Sequence, residues 1–144
     1  MMKQQITSKM VKDLMKVYES NRESLHKLNT VIDEHGTLGN GITNIHSTFE
    51  MGYHNALEYA FTVLNIKFYK GRFFDVNIIN MYATFNQIQK LKNAYNSTRE
   101  DLIKLKQYIA ENGVTDDGIT DVEDSFEQGC NNALEYVFNV LDIN

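Results

Sequence analysis

A chain of 144 residues, 42% hydrophobic and 23% charged, carries enough apolar material to bury a core, which excludes a disordered polymer. Its single cysteine, Cys130, excludes an internal disulfide and makes a reducing cytoplasm the expected compartment. No apolar run reaches membrane-spanning length, and the net charge of −5 argues against general duplex nucleic-acid binding.

The opening stretch, MMKQQITSKM, lacks the apolar core of a signal peptide. From there an apolar stripe runs through Val11, Leu14, Tyr18, Leu25, Leu28 and Ile32 in steps that predict one long helix. Asn21 interrupts the stripe, and a polar group there can set the register of packed helices. Gly36 is the expected left-handed stop. After the loop GTLGNG, Thr43 is placed to cap a second helix. That helix is apolar over most of its circumference (Phe49, Ala56, Leu57, Phe61, Val63, Leu64), so it is expected at the centre of the fold. Gly52 within it costs roughly 1 kcal/mol relative to alanine, and close approach of another helix is the expected reason. The segment KFYKGRFFD, residues 67–75, follows, with Gly71 as a helix stop and Asp75 as the next N-cap.

The remainder repeats the beginning. GITNIHSTFEMGYHNALEYAFTVLNI (41–66) aligns without a gap on GITDVEDSFEQGCNNALEYVFNVLDI (118–143), an offset of 77. Over 5–67 against 82–144 there are 27 identities in 63 positions. The second copy carries its own stripe (Ile88, Leu91, Tyr95, Leu102, Leu105, Ile109), its own polar break at Thr98, and Gly113 and Gly129 as counterparts of Gly36 and Gly52. Thr120 and Glu123 have the spacing of a capping box. The expected fold is all-α: a tandem duplication of a long-helix, loop, helix unit, forming a four-helix bundle or two interlocked helical hairpins with pseudo-twofold symmetry. The chain 1–144 reads as one domain of two repeats, 5–67 and 82–144, joined by a linker, 68–81.

Charge is divided unevenly between the copies. All 14 basic residues lie at or before Lys106, and nine of the 19 acidic residues follow it. Asp116, Asp117, Asp121, Glu123 and Asp124 form an acidic face that can steer a basic partner or simply be solvated. They lack the alternating ligands and closing glutamate of an EF-hand loop. The linker is the other candidate: Lys67, Tyr69, Lys70, Arg72 and Phe73 combine cations with stackable rings, suited to a nucleotide, a single nucleic-acid strand or an acidic protein surface. The competing reading has its aromatics anchoring the crossover to the core.

Signals for catalysis are weak. All four histidines fall in the first copy. Glu50, His54 and Glu58 share one helical face, but the Glu-x-x-His pairs of di-iron bundles are missing. No phosphate-binding loop or nucleophile motif occurs, and Cys130 aligns with Tyr53 inside a helix, which favours a structural role. Glu50, Asn55 and Glu58 recur as Glu127, Asn132 and Glu135, polar positions that can pair across a twofold axis. No metal and no cofactor is expected.

The segments FEMGYHNALEYAFTVLNI and FEQGCNNALEYVFNVLDI resemble the F-x-x-G-x-x-N-A-L-E-Y endings of small accessory proteins from phages of AT-rich Gram-positive bacteria. The absence of Pro and Trp and the abundance of Asn, Lys and Ile fit such a coding bias. The resemblance covers 18 residues per copy and implies a host-takeover or anti-defence protein, with no catalytic residues to carry over. Three readings follow. The first is a non-enzymatic module that binds and inhibits a host protein through the acidic face or the linker. The second is a binder of a small nucleotide, and the third an enzyme using Glu50, His54 and Glu58. A homodimer is compatible with each.

Overall fold

The computed structural model describes residues 3–66, 68–69, 72–73 and 81–143; at Lys3, Phe68, Tyr69, Arg72, Phe73 and Met81 it describes the backbone alone. Among the described residues the fold is all-α, a bundle of four helices: α1 (Ser8–His35), α2 (Phe49–Val63), α3 (Phe85–Asn112) and α4 (Phe126–Leu141). None of the described helices is long and apolar enough to cross a membrane.

Helix ends follow local chemistry. Thr7 and Thr84 cap α1 and α3, each accepting from the backbone N–H three residues on, while Met10 and Gln87 return a bond to the cap's own N–H. Both helices stop at a glycine in the left-handed region, Gly36 at φ 79° and Gly113 at φ 80°, as expected. The starts of the short helices differ from expectation. Thr48 and Ser125, not Thr43 and Thr120, cap α2 and α4. A turn of 3₁₀ helix precedes each, Ile45–Ser47 and Val122–Asp124, begun by the side chains of Asn44 and Asp121. The 3₁₀ turns use the residues between threonine and cap, which displaces both starts by five positions. The expected N-cap at Asp75 is likewise corrected: α3 is capped by Thr84, and Gly71 and Asp75 lie outside the described residues.

Four short strands among the described residues were not foreseen. β1 (Lys3–Ile6) pairs antiparallel with β4 (Met81–Thr84), and β2 (Phe68–Tyr69) with β3 (Arg72–Phe73). The first pair turns Ile6 and Ala83 into the core, both fully buried.

Residues 77 apart meet each other across the molecule. Gln5 pairs with Tyr82, Thr48 with Ser125, and Gly41 and Gly118 approach each other's carbonyl oxygens. Such self-matched pairs lie where a local twofold axis passes. α2 and α4 pack closely around it, and their buried residues (Ala56, Leu57, Ala60, Phe61 against Ala133, Leu134, Val137, Leu141) form the centre of the core.

The long helices flank this pair. By rise per residue, 28 residues span about 42 Å and 15 residues about 22 Å, so α1 and α3 overshoot the central helices. Burial follows that geometry. Val11, Leu14 and Tyr18 are buried in α1, whereas Leu25, Leu28 and Ile32 further along the same stripe are half-buried. Beyond the main core a second small cluster, Leu38, Ile42 and Ile119, gathers Leu28, Ile32 and Ile109 from the overhanging ends.

Candidate functional site

The overhang creates a groove. On one side stand Leu28 and Val31 of α1; the floor is Leu38 and Ile42 of the first loop with Phe49 at the start of α2. The opposite side comes from the second repeat: Glu123 and Asp124 of the 3₁₀ turn and Asn132 of α4. The cavity is about 600 Å³. Among the described residues its lining holds three carboxylates, Glu50, Glu123 and Asp124, and no Lys or Arg.

Local bonds set each wall. In the loop, Leu38 N–H donates to Ile42 O at 2.8 Å and Gly41 N–H to Leu38 O at 3.0 Å, a turn that inserts Leu38 and fully buried Ile42 under α1. Asp121 accepts from Glu123 N–H at 3.0 Å, which orients the 3₁₀ turn and the carboxylates that follow. Asn21 Nδ2–H donates to the Glu50 carbonyl at 3.1 Å and ties α1 to the first turn of α2. This is the registering role expected of a polar break in the stripe. Asn132 is held by Gln128, whose Nε2–H donates to its Oδ1 at 2.8 Å.

The five acidic candidates therefore separate. Glu123 and Asp124 line the groove. Asp121 caps the turn behind them, and Asp116 and Asp117 sit exposed in the second loop, where Asp117 accepts from the Thr115 hydroxyl. Glu50, read from sequence as a partner of His54 and Glu58, joins the acidic groove instead. Lys67 and Lys70 lie outside the described residues, as do the side chains of Tyr69, Arg72 and Phe73. The backbones of those three belong to the β2–β3 pair.

A second polar cluster occurs twice. In the first repeat the Tyr18 hydroxyl donates to Glu58 Oε2 at 2.6 Å, His54 Nε2 lies 3.2 Å from the same oxygen, and the His54 ring stacks on Tyr18 with centroids 5.0 Å apart. In the second, Tyr95 donates to Glu135 Oε1 at 2.7 Å, with Asn131 Nδ2 at 3.4 Å from that oxygen. Burial, then the bond to Glu58, holds the Tyr18 phenol well above its ordinary value. Burial pulls His54 below its ordinary value, against the pull of Glu58 in the other direction. Each cluster joins a long helix to a central one at the level of the core. Among the described residues no three metal-ligating side chains converge; Glu50 lines the acidic groove, whereas His54 and Glu58 pair beside Tyr18. The sequence showed the tyrosine and the glutamate recurring in both copies, but their pairing spans 40 positions and has no local signature.

Comparison with protein families, curated proteins and solved structures finds no match to this chain.

Proposed function

We propose that this protein is a non-enzymatic binding module whose groove takes up a Lys- or Arg-bearing amphipathic segment of a partner protein. One observation carries the reading: an apolar floor of Leu38 and Phe49, backed by buried Ile42, adjoins Glu50, Glu123 and Asp124, with no cation in the lining among the described residues. An apolar side chain entering the floor brings its flanking cations to the carboxylates, and both contacts are desolvated together. Exposed ion pairs alone give roughly 0.2–1 kcal/mol each, so the apolar floor supplies affinity and the acids supply selection. The two helix motifs that resemble phage accessory proteins support a setting in which the partner is a host defence protein and binding inhibits it.

The test is binding of fluorescent amphipathic peptides, basic and acidic versions of one apolar pattern, to the full chain. Basic peptides should bind more tightly, weaken with added salt, and lose at least tenfold, about 1.4 kcal/mol, with Glu123→Lys/Asp124→Lys. Equal binding of both versions, or no effect of the double substitution, would exclude the groove.

A further inference from the structure

The two repeats share the tyrosine–glutamate cluster but differ in what surrounds it. In the first, the His54 ring lies against Tyr18 and its side chain is 16% exposed. In the second, the smaller Asn131 stands at the equivalent position, 7% exposed, and a cavity of about 330 Å³ opens beside it. Tyr95, Arg99, Lys106, Gln128, Asn131 and Glu135 line the cavity, with Leu102 and Ile103 as its apolar wall. At the same offset of 77, Asn29 becomes Lys106 and Met51 becomes Gln128. At three positions, then, the second repeat carries residues that make its lining cationic and hydrogen-bonding. The scaffold does not need those changes, because the first repeat folds on the other set.

The polarity of the cavity is ordered. Tyr95, Arg99, Leu102 and Lys106 follow one face of α3 in steps of four, three and four, so the lining spans about 16 Å along the helix. Glu135 stands at the Tyr95 end, accepting from Tyr95 and Asn131 with acceptor capacity remaining. Arg99 and Lys106 provide the positive charge, the Arg99 guanidinium lying 5.9 Å from the centroid of the Tyr95 ring. We infer that this cavity binds an elongated phosphate-bearing molecule of nucleoside monophosphate size, its phosphate on Lys106, the N–H edge of its base toward Glu135 and Asn131, and Arg99 between the two ends. A compact zwitterion is too short to reach both ends. The volume lies within the range of small-ligand sites, and this site is separate from the acidic groove, the two meeting at the Gln128–Asn132 hydrogen bond.

The test is a ¹H–¹⁵N NMR titration of the full chain with adenosine monophosphate, and with ribose 5-phosphate and inorganic phosphate in parallel. Adenosine monophosphate should shift the side-chain amides of Asn131 and Gln128 saturably, and the other two should bind at least tenfold more weakly. Asn131→His, which copies the first repeat, should close the cavity and abolish the shifts with the melting temperature kept. Lys106→Glu, on an exposed position, should weaken binding at least tenfold without affecting folding. Unmoved Asn131 and Gln128 amides would overturn the site, as would unchanged affinity in both variants. Ribose 5-phosphate binding as tightly as the nucleotide would overturn the contact to the base.

Discussion

Gly52 and Gly129, 77 residues apart, lie where α2 and α4 meet: a Cβ on Gly52 would fall 2.0 Å from the Phe126 carbonyl oxygen, and one on Gly129 would fall 2.0 Å from that of Phe49. Both clashes are with backbone, which cannot rotate away. Cys130 sits in the same contact and donates its S–H to the Gly52 carbonyl at 3.4 Å. Gly52→Ala or Gly129→Ala should each destabilise the fold by about 3 kcal/mol or more, above the gain of about 1 kcal/mol from alanine's helix propensity. Gly36→Ala, where the added Cβ meets open space and only the left-handed backbone is strained, should cost about 1–2 kcal/mol. Urea unfolding of the three variants checks the order.

The groove separates its carboxylates from those of the loop. Charge reversal at Asp116 and Asp117, which are exposed and outside the lining, should leave peptide binding within about twofold, against the tenfold or greater loss at Glu123 and Asp124. Anisotropy titrations of the two double variants at one ionic strength decide it.

The Tyr18 hydroxyl belongs to a buried residue and bonds a half-exposed carboxylate, whereas the matching bond of Tyr95 lies nearer the surface. Removing a buried donor to a charged acceptor costs more than removing an exposed one. Tyr18→Phe should therefore lower stability by about 1–3 kcal/mol and Tyr95→Phe by less than about 1 kcal/mol. A double-mutant cycle with Glu58→Gln should show the Tyr18 loss shrinking when its acceptor is altered.

His54 gives the fold a pH dependence of known sign. Its folded value lies below the ordinary 6.5, chiefly because burial penalises the charged ring. As pH falls below 6.5 the unfolded chain takes up a proton that the folded chain does not, so stability falls with pH until the folded value is reached. Above 6.5 the ring is neutral in both states and contributes no slope. His54→Asn, the residue of the second repeat, should remove this component from unfolding curves measured between pH 7 and 5.

Burial pushes the Cys130 thiol up to about 12, with Glu127 and Asp101 adding to the rise. The thiolate is the reacting species, so at pH 8 labelling of the folded protein should be slower than that of the unfolded chain by orders of magnitude. Addition of denaturant during the reaction should restore the ordinary rate. Fast labelling of the native protein would place Cys130 outside the α2–α4 contact.

Much of the architecture is local and was therefore legible. The stripe of α1, the glycine stops at Gly36 and Gly113 and the apolar circumference of α2 depend on residues three or four apart, whose geometry any helix imposes. Residue identity also announced the close approach at Gly52, because a glycine inside a helix needs a reason. The 3₁₀ turns escaped because Thr43 and Thr48 are both acceptable caps, and choosing between them depends on where the chain meets its second copy at Ser125. β1 and β4 escaped for the same reason: four-residue strands carry little periodicity and exist here through partners 75 to 81 positions away.

The candidate site divides along the same line. The amino-acid sequence by itself determined the repeat, the concentration of acid after Lys106 and the recurrence of Tyr18, Glu58, Tyr95 and Glu135. Only the tertiary structure decided that Glu50 of one repeat lines the same groove as Glu123 and Asp124 of the other, and that a cavity opens beside Asn131. Chain order sets what lies along a helix. Which faces of four helices look at one another is set by packing around the Gly52–Gly129 contact, a long-range choice that no local pattern encodes.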